Sequence, residues 1–335
     1  MLAARLPYAA QRCSFSTAAH VQRQVPILSS PDIDTFRDQA FVPALPFLLP
    51  RHTFRDLPAI RNWFLHQPTN TSNGPLSPAL NLSYLARFGS TIVPLEITNN
   101  DHFVRTSQAL SFFLACVNAS SSSYEQAISP PKRINRYFSA RRPGSRPIRR
   151  SVVTKRATGD FFSSSSAIST PTARVYLAQA TLSDLPQALR DDLSPTPSYV
   201  LEAGKGDVYD TSIWLGEAPT YTPLHRDPNP NLFVQLAGRK SVRLVRPDVG
   251  MGIFAKVQER IGGNASATMR GEEMMAGPEK LALEEEVWGD DSEFKASMWE
   301  AEVGVGDGLF IPKGWWHSIK GTGEGMTGSV NWWFR

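Results

Sequence analysis

From residue 173 to the carboxyl end, the chain divides into short segments rich in β-branched and aromatic residues, each closed by glycine or proline. ARVYLAQATL, TSIWLGE, NLFVQLAG, KSVRLVR, GLFIP, WWHSIK and TGSVNWWFR have strand composition, and the Gly and Pro between them supply turns. So many short strands in sequence predict an all-β barrel or sandwich. A short helix is expected near Leu182–Leu189. Residues 248–298 interrupt the pattern with a mobile stretch, helical around Glu272 and from Leu281 to Val287.

The region before this reads differently. Residues 24–117 are mostly helical in spacing and are expected to pack on the barrel. Asp32 is a candidate N-cap ahead of Thr35 and Phe36, for a helix over 32–41. A second helix is predicted over 54–65 and a third over 101–117. STIVPLEI, residues 90–97, has strand composition, with Pro94 favouring an edge position. The overall class is therefore mainly β with a helical amino-terminal part, α+β.

Charge is unevenly placed. The formal net charge is +4. Residues 1–31 hold Arg5, Arg12 and Arg23 and no acid, and residues 132–156 hold ten basic residues and no acid. Without those two segments the chain is net acidic. The first 23 residues, rich in Arg, Ala and Ser, match the composition of a mitochondrial transit peptide; the alternative is a tail on a cytoplasmic or nuclear protein. Residues 118–172, with two SSSS runs and the basic cluster, predict a disordered insertion. The cluster would suit RNA or an acidic partner, but a solvated charged loop is the better account, since only Tyr137 and Phe138 are there to stack on bases. No apolar run approaches the length of a membrane span. Cys13 and Cys116 are the only cysteines, too few for a disulfide framework or a Cys-rich zinc site. No oligomeric state is specified.

The segment TPLHRDPNPNLFVQLAGRKSVRLVRP, residues 222–247, carries the chemistry. His225 and Asp227 are two apart, so on an extended chain both project to one face. His317 lies 92 residues beyond His225 on another predicted strand. Two His and one carboxylate make the facial triad of non-haem Fe(II) oxygenases, which leaves coordination positions open. An H-x-D pattern alone arises often by chance. Lys240, Val242 and Leu244 share a strand face, and a lysine heading an apolar face is costly to bury unless it meets an anion. It can equally end the hairpin and reach water; spacing leaves both open. Arg226 and Arg239 could meet an acidic substrate, although exposed arginines are common; Trp315, Trp316, Trp332 and Trp333 could shape a substrate channel, although the usual fate of strand aromatics is barrel packing.

The segment resembles the JmjC, cupin-like family of 2-oxoglutarate oxygenases, above all the small JmjC-only hydroxylases related to lysine demethylase 8. There the H-x-D motif is followed six residues later by Asn and fifteen later by a cosubstrate lysine; Asn231 and Lys240 stand at those offsets. Thr222 matches the family's hydroxyl residue before the first His. Asn331 follows His317 by fourteen residues in the aromatic strand SVNWWFR. VYLAQATLSDLPQALRDDL resembles the element preceding the barrel, with Tyr176 at the cosubstrate tyrosine, and Trp214 matches an aromatic on the next strand. The resemblance runs through most of residues 32–335; the segment 118–172 has no counterpart in it.

What the resemblance implies is a double-stranded β-helix, or jelly-roll, over 173–335. It implies Fe(II) on His225, Asp227 and His317, 2-oxoglutarate held by Lys240 with Thr222, Tyr176, Asn231, Trp214 and Asn331 around it, and O2 as oxidant. No catalytic side chain beyond the metal centre is expected. The reaction would hydroxylate a protein side chain with release of succinate and CO2. A lysine demethylase, a tRNA-base hydroxylase and a non-catalytic cupin scaffold are the competing readings.

Overall fold

The fold is described from a computed structural model over residues 23–67, 77–99, 102–128, 174–263, 265–267 and 274–335. The transit-peptide segment up to Gln22, the basic cluster 132–156 and Glu272 lie outside these residues. In chain order the strands are β1 (Arg23–Gln24), β2 (Phe47–Leu48), β3 (Phe64–Gln67), β4 (Ser77–Leu80), β5 (Ile92–Asn99), β6 (His102–Ala109), β7 (Arg174–Thr181), β8 (Val208–Glu217), β9 (Thr220–Arg226), β10 (Asn231–Ala237), β11 (Arg239–Val245), β12 (Trp299–Val303), β13 (Gly308–Ile311), β14 (Trp316–Thr322) and β15 (Met326–Phe334). The helices are α1 (Ile33–Phe36), α2 (Pro58–Trp63), α3 (Leu82–Leu85), α4 (Leu110–Ile128), α5 (Gln187–Asp191), α6 (Ser198–Leu201), α7 (Pro247–Ile261) and α8 (Gly277–Trp288).

Two sheets make the double-stranded β-helix. One has the order β1-β12-β11-β14-β9 and the other β2-β13-β10-β15-β8-β7-β5-β6. Pairing is antiparallel apart from β1 with β12. Between the sheets lies an apolar cluster built on Phe233, Val242, Leu244, Val303, Leu309 and Ile311. The outer face of the larger sheet is covered by the amino-terminal elements through Phe36, Trp63 and Phe113. The outer face of the smaller sheet is covered by α7 and α8 through Ile253, Val257 and Leu283. β15 shows how period-two alternation divides these layers. Met326, Val330 and Trp332 face the amino-terminal layer. Thr327, Ser329, Asn331 and Trp333 alternate with them and reach partners on β10, β11 and the residue after β9.

Several local expectations change. Asp32 does cap, its carboxylate accepting from the Thr35 amide at 2.8 Å. The helix it starts is one turn that widens into a π-turn over Arg37–Phe41. Residues 102–109, expected as helix, form strand β6, and helix follows only from Leu110. β6 is the outer strand of its sheet, and pairing along the whole of β5 decides its conformation. β5 is therefore internal, against the edge position that Pro94 suggested. Its bonds to β7 begin only at Leu95, so Pro94, lacking an amide, sits where that ladder has not started. Over 54–65 the helix is confined to Pro58–Trp63, and strand begins at Phe64. α4 runs to Ile128, past the start at 118 of the expected insertion. In 248–298, α8 spans the expected Leu281–Val287, while α7 was not foreseen.

One buried carboxylate joins the amino-terminal layer to the barrel. Asp192, just after α5, accepts from Asn62 Nδ2 at 2.6 Å, Trp63 Nε1 at 2.7 Å and the Tyr84 hydroxyl at 2.7 Å. Alanine there leaves three donors without an acceptor. Hydrogen bonds to a charged group contribute about 1.5–3 kcal/mol each. Asp192→Ala is therefore expected to lower unfolding free energy by about 3 kcal/mol or more, measured by urea denaturation.

Candidate metal centre

His225 and His317 stand directly opposite each other where β9 pairs with β14. That register brings the two imidazole centres to 4.2 Å. Asp227 follows β9 immediately, and its Oδ2 lies 3.7 Å from His317 Nε2. One ligand atom from each of the three lies within 4.8 Å of the others. No other group of His, Cys, Asp or Glu among the described residues meets that condition.

The surroundings fix each donor. His225 Nδ1 lies 2.9 Å from the Pro223 carbonyl, and His317 Nδ1 3.2 Å from the Trp315 carbonyl. A carbonyl is satisfied by a protonated Nδ1, which leaves the Nε2 lone pair for a metal. Burial, with the His225 imidazole beside it, pushes His317 down to about 4, so its ring is neutral at pH 7. Burial works to raise Asp227, but the His317 and His225 rings and the hydrogen bonds from Trp333 and Asn231 outweigh it. The carboxyl is held below its usual range, and thus ionised. Trp333 Nε1 donates to Oδ2 at 2.8 Å and Asn231 Nδ2 at 3.0 Å. Two imidazoles with Nδ1 engaged by carbonyls and an oriented carboxylate fit a divalent transition metal, and the set is too small to close its coordination sphere.

Four interior side chains of β15 make polar contacts, two to the neighbouring strand β10 and two to the opposite sheet and the residue after β9. Thr327 meets Gln235 at 2.9 Å, Ser329 meets Lys240 at 2.8 Å, Asn331 donates to Asn231 at 3.1 Å, and Trp333 donates to Asp227. Lys240 is 4% exposed. Its ammonium donates to Ser329 Oγ and lies 5.2 Å from the centre of the Phe233 ring. Among the described residues no carboxylate pairs with it. Burial alone pushes it from 10.5 to about 7.

A cavity of about 470 Å³ borders His225 and Asp227, while His317 is buried off its wall. His225, Asp227, Thr222, Tyr176, Trp214 and Trp333 line it, with Met274, Met275 and Lys280 from the α7–α8 side. Tyr176 and Trp214 pack ring to ring at 6.3 Å, and the Trp214 Nε1 is buried without a partner. Lys240, Asn231 and Asn331 are buried and are not among the residues lining the cavity. Sequence reasoning weighed Trp333 for a substrate channel or barrel packing and missed its bond to Asp227. Its signal was its place two residues after Asn331 on the same strand face.

The chain thus combines a double-stranded β-helix with a His-Asp-His group that could hold a metal ion. A family model described as "Cupin-like domain" matches residues 95–335, most of the chain, and the protein belongs to that family. Its relatives place it with the JmjC oxygenases, a family that generally uses Fe(II) and 2-oxoglutarate. The chain is 42% identical over 76 residues to lysine-specific demethylase JMJ30 of Arabidopsis thaliana, covering 23% of this chain and 17% of that protein. It is 30% identical over 139 residues to lysine-specific demethylase 8 of Danio rerio, covering 41% and 30%. It is 24% identical over 294 residues to Jumonji C domain-containing protein 5 of Drosophila melanogaster, covering 87% and 55%. The chain thus spans less than two thirds of each of these relatives.

Proposed function

We propose that the protein is an Fe(II)- and 2-oxoglutarate-dependent oxygenase that hydroxylates a protein side chain. The observation carrying this is a buried ammonium with no carboxylate partner among the described residues, Lys240, in the same barrel interior as an open-sided triad. An ammonium so placed is stabilised by a ligand carboxylate. His225, Asp227 and His317 would hold the metal. Lys240 and Ser329 would receive the far carboxylate of the cosubstrate, with Tyr176, Thr222, Trp214, Asn231 and Asn331 around it. When bound, Fe(II) supplies the oxygen chemistry that couples oxidation of 2-oxoglutarate to succinate and CO2 with hydroxylation. The chain's own work is orientation: Trp333 and Asn231 aim the carboxylate, the two carbonyls set the imidazole tautomers, and the aromatic wall excludes water from one side of the cavity.

The open cavity favours a side chain entering from a larger substrate. Succinate formation requiring both Fe(II) and 2-oxoglutarate tests the chemistry, even without added substrate; its absence favours the scaffold reading. The demethylases among the relatives motivate a second reading, in which an N-methyl group is hydroxylated and formaldehyde released; a formaldehyde assay separates the two. Deleting 132–156 and measuring RNA binding tests an RNA substrate. Mitochondrial import is proposed from the composition of residues 1–23, and a fusion of residues 1–30 that stays cytosolic refutes it.

Tyr176 offers a test of the cosubstrate side. Gly216 pairs with it across β7 and β8, and a Cβ at 216 would overlap the Tyr176 ring. Gly216→Ala is expected to displace that ring and raise the 2-oxoglutarate Kd roughly tenfold, equivalent to ~1.4 kcal/mol. Calorimetric titration with the cosubstrate checks it.

A further inference from the structure

The ladder between the two histidine-bearing strands is irregular beside the triad. β9 and β14 pair His225 with His317 and Thr222 with Ile319, so Pro223 and Leu224 together face Ser318 alone. Two residues opposite one is a β-bulge, where a proline is tolerated because it has no amide to give. The bulge turns the Pro223 carbonyl onto His225 Nδ1. It also leaves the Thr222 carbonyl facing Ser318, whose hydroxyl donates to it at 2.8 Å. The same hydroxyl accepts from Trp288 Nε1, at the end of α8, at 2.8 Å. Ser318 is fully buried, so water cannot replace either bond. Trp288 is held in turn, with the Arg243 guanidinium 4.5 Å and the Lys320 ammonium 5.0 Å from its ring.

We propose that Ser318 is a positioning residue for the metal centre: its hydroxyl fastens α8 to the bulge of β9 and so fixes the aim of His225. The proposal rests on the metal-centre reading above. Without the hydroxyl, the Thr222 carbonyl and the Trp288 N–H both lose their partner in a dry interior. The bulge then relaxes to satisfy the carbonyl, and Pro223 moves with it. His225 follows, because its Nδ1 is tied to Pro223. A partner that orients a metal-ligating imidazole contributes roughly 10–100-fold to metal affinity.

The test is titration of the full chain with Co(II), followed by its visible absorption, beside thermal melting. Ser318→Ala is expected to weaken Co(II) binding by roughly tenfold or more. Ser318→Thr, which restores the hydroxyl, is expected to regain most of that affinity. Trp288→Phe, which keeps the Ser318–Thr222 bond and removes only the indole N–H, is expected to fall between. A purely structural role would lower the melting temperature of Ser318→Ala and leave Co(II) affinity unchanged, and that result overturns the proposal. Should Ser318→Ala fail to fold, unchanged affinity in Trp288→Phe overturns the link to α8. Absence of Co(II) binding by the unaltered chain overturns the metal-centre reading itself, and this inference with it.

Discussion

Asp227→Ala is expected to abolish Fe(II)- and 2-oxoglutarate-dependent succinate formation while leaving the barrel folded. Asp227 is the one carboxylate donor of the three, and its loss leaves only two imidazoles 4.2 Å apart. Losing an outer partner of a metal ligand already costs roughly 10–100-fold in affinity; losing the ligand costs more. Trp333 Nε1 and Asn231 Nδ2 also lose their shared acceptor. Each orphaned buried donor costs about 1–3 kcal/mol, so a modest fall in melting temperature accompanies the loss of activity. Asp227→Asn separates the two effects. It keeps the side chain's shape and an oxygen for the two donors but not the charge, so stability should recover while metal binding and turnover do not. Succinate release by Asp227→Ala at the wild-type rate would show that the triad is not the metal site.

The triad was legible because its geometry is local on one side. Residues two apart share a strand face, which places His225 and Asp227 together from spacing alone. Its third member was legible as a residue type on a strand, but its pairing opposite His225 is a register that only the assembled sheet sets. Trp333 was hidden because an aromatic in a strand reads as packing, and nothing local says that its N–H meets a carboxylate 106 positions away. Ser318 gave no signal at all: a lone serine becomes informative only when a bulge strands a carbonyl beside it. α7 carried clear boundary marks, with Pro247 in its first turn and Gly262 at its end at φ 63°. Gly250 and Gly252 weakened the helical reading between them. The reason for Gly250 is tertiary, since a Cβ there would overlap Trp316, the neighbour of His317. Strand β6 escaped because it is an outer strand with exposed Val104, and so lacks the alternation that marks a half-buried one.

Lys240→Met is expected to do two opposite things: stabilise the ligand-free protein and remove its response to 2-oxoglutarate. The ammonium is buried against Ser329 and Phe233, and burial lowers it from 10.5 to about 7. At and below pH 7 that corresponds to roughly 5 kcal/mol of destabilisation relative to a lysine in water. Between pH 7 and 10.5 the unfolded chain holds this proton more tightly than the folded one, so the ligand-free protein gains stability as pH rises through that window. Methionine keeps an unbranched stem and removes the charge, so the variant should melt several degrees higher at pH 7 and lose this part of the pH dependence. A dicarboxylate beside the ammonium reverses the shift. Binding at pH 8 should therefore draw up to about one proton from solvent, whereas well below pH 7 it should draw almost none. Calorimetry at both pH values, in two buffers of different ionisation heat, measures that uptake directly. In Lys240→Met the uptake disappears, and added 2-oxoglutarate no longer raises the melting temperature. Tight 2-oxoglutarate binding by the methionine variant, or a lower melting temperature than the unaltered chain, would separate this lysine from the cosubstrate and leave its burial without a ligand to account for it.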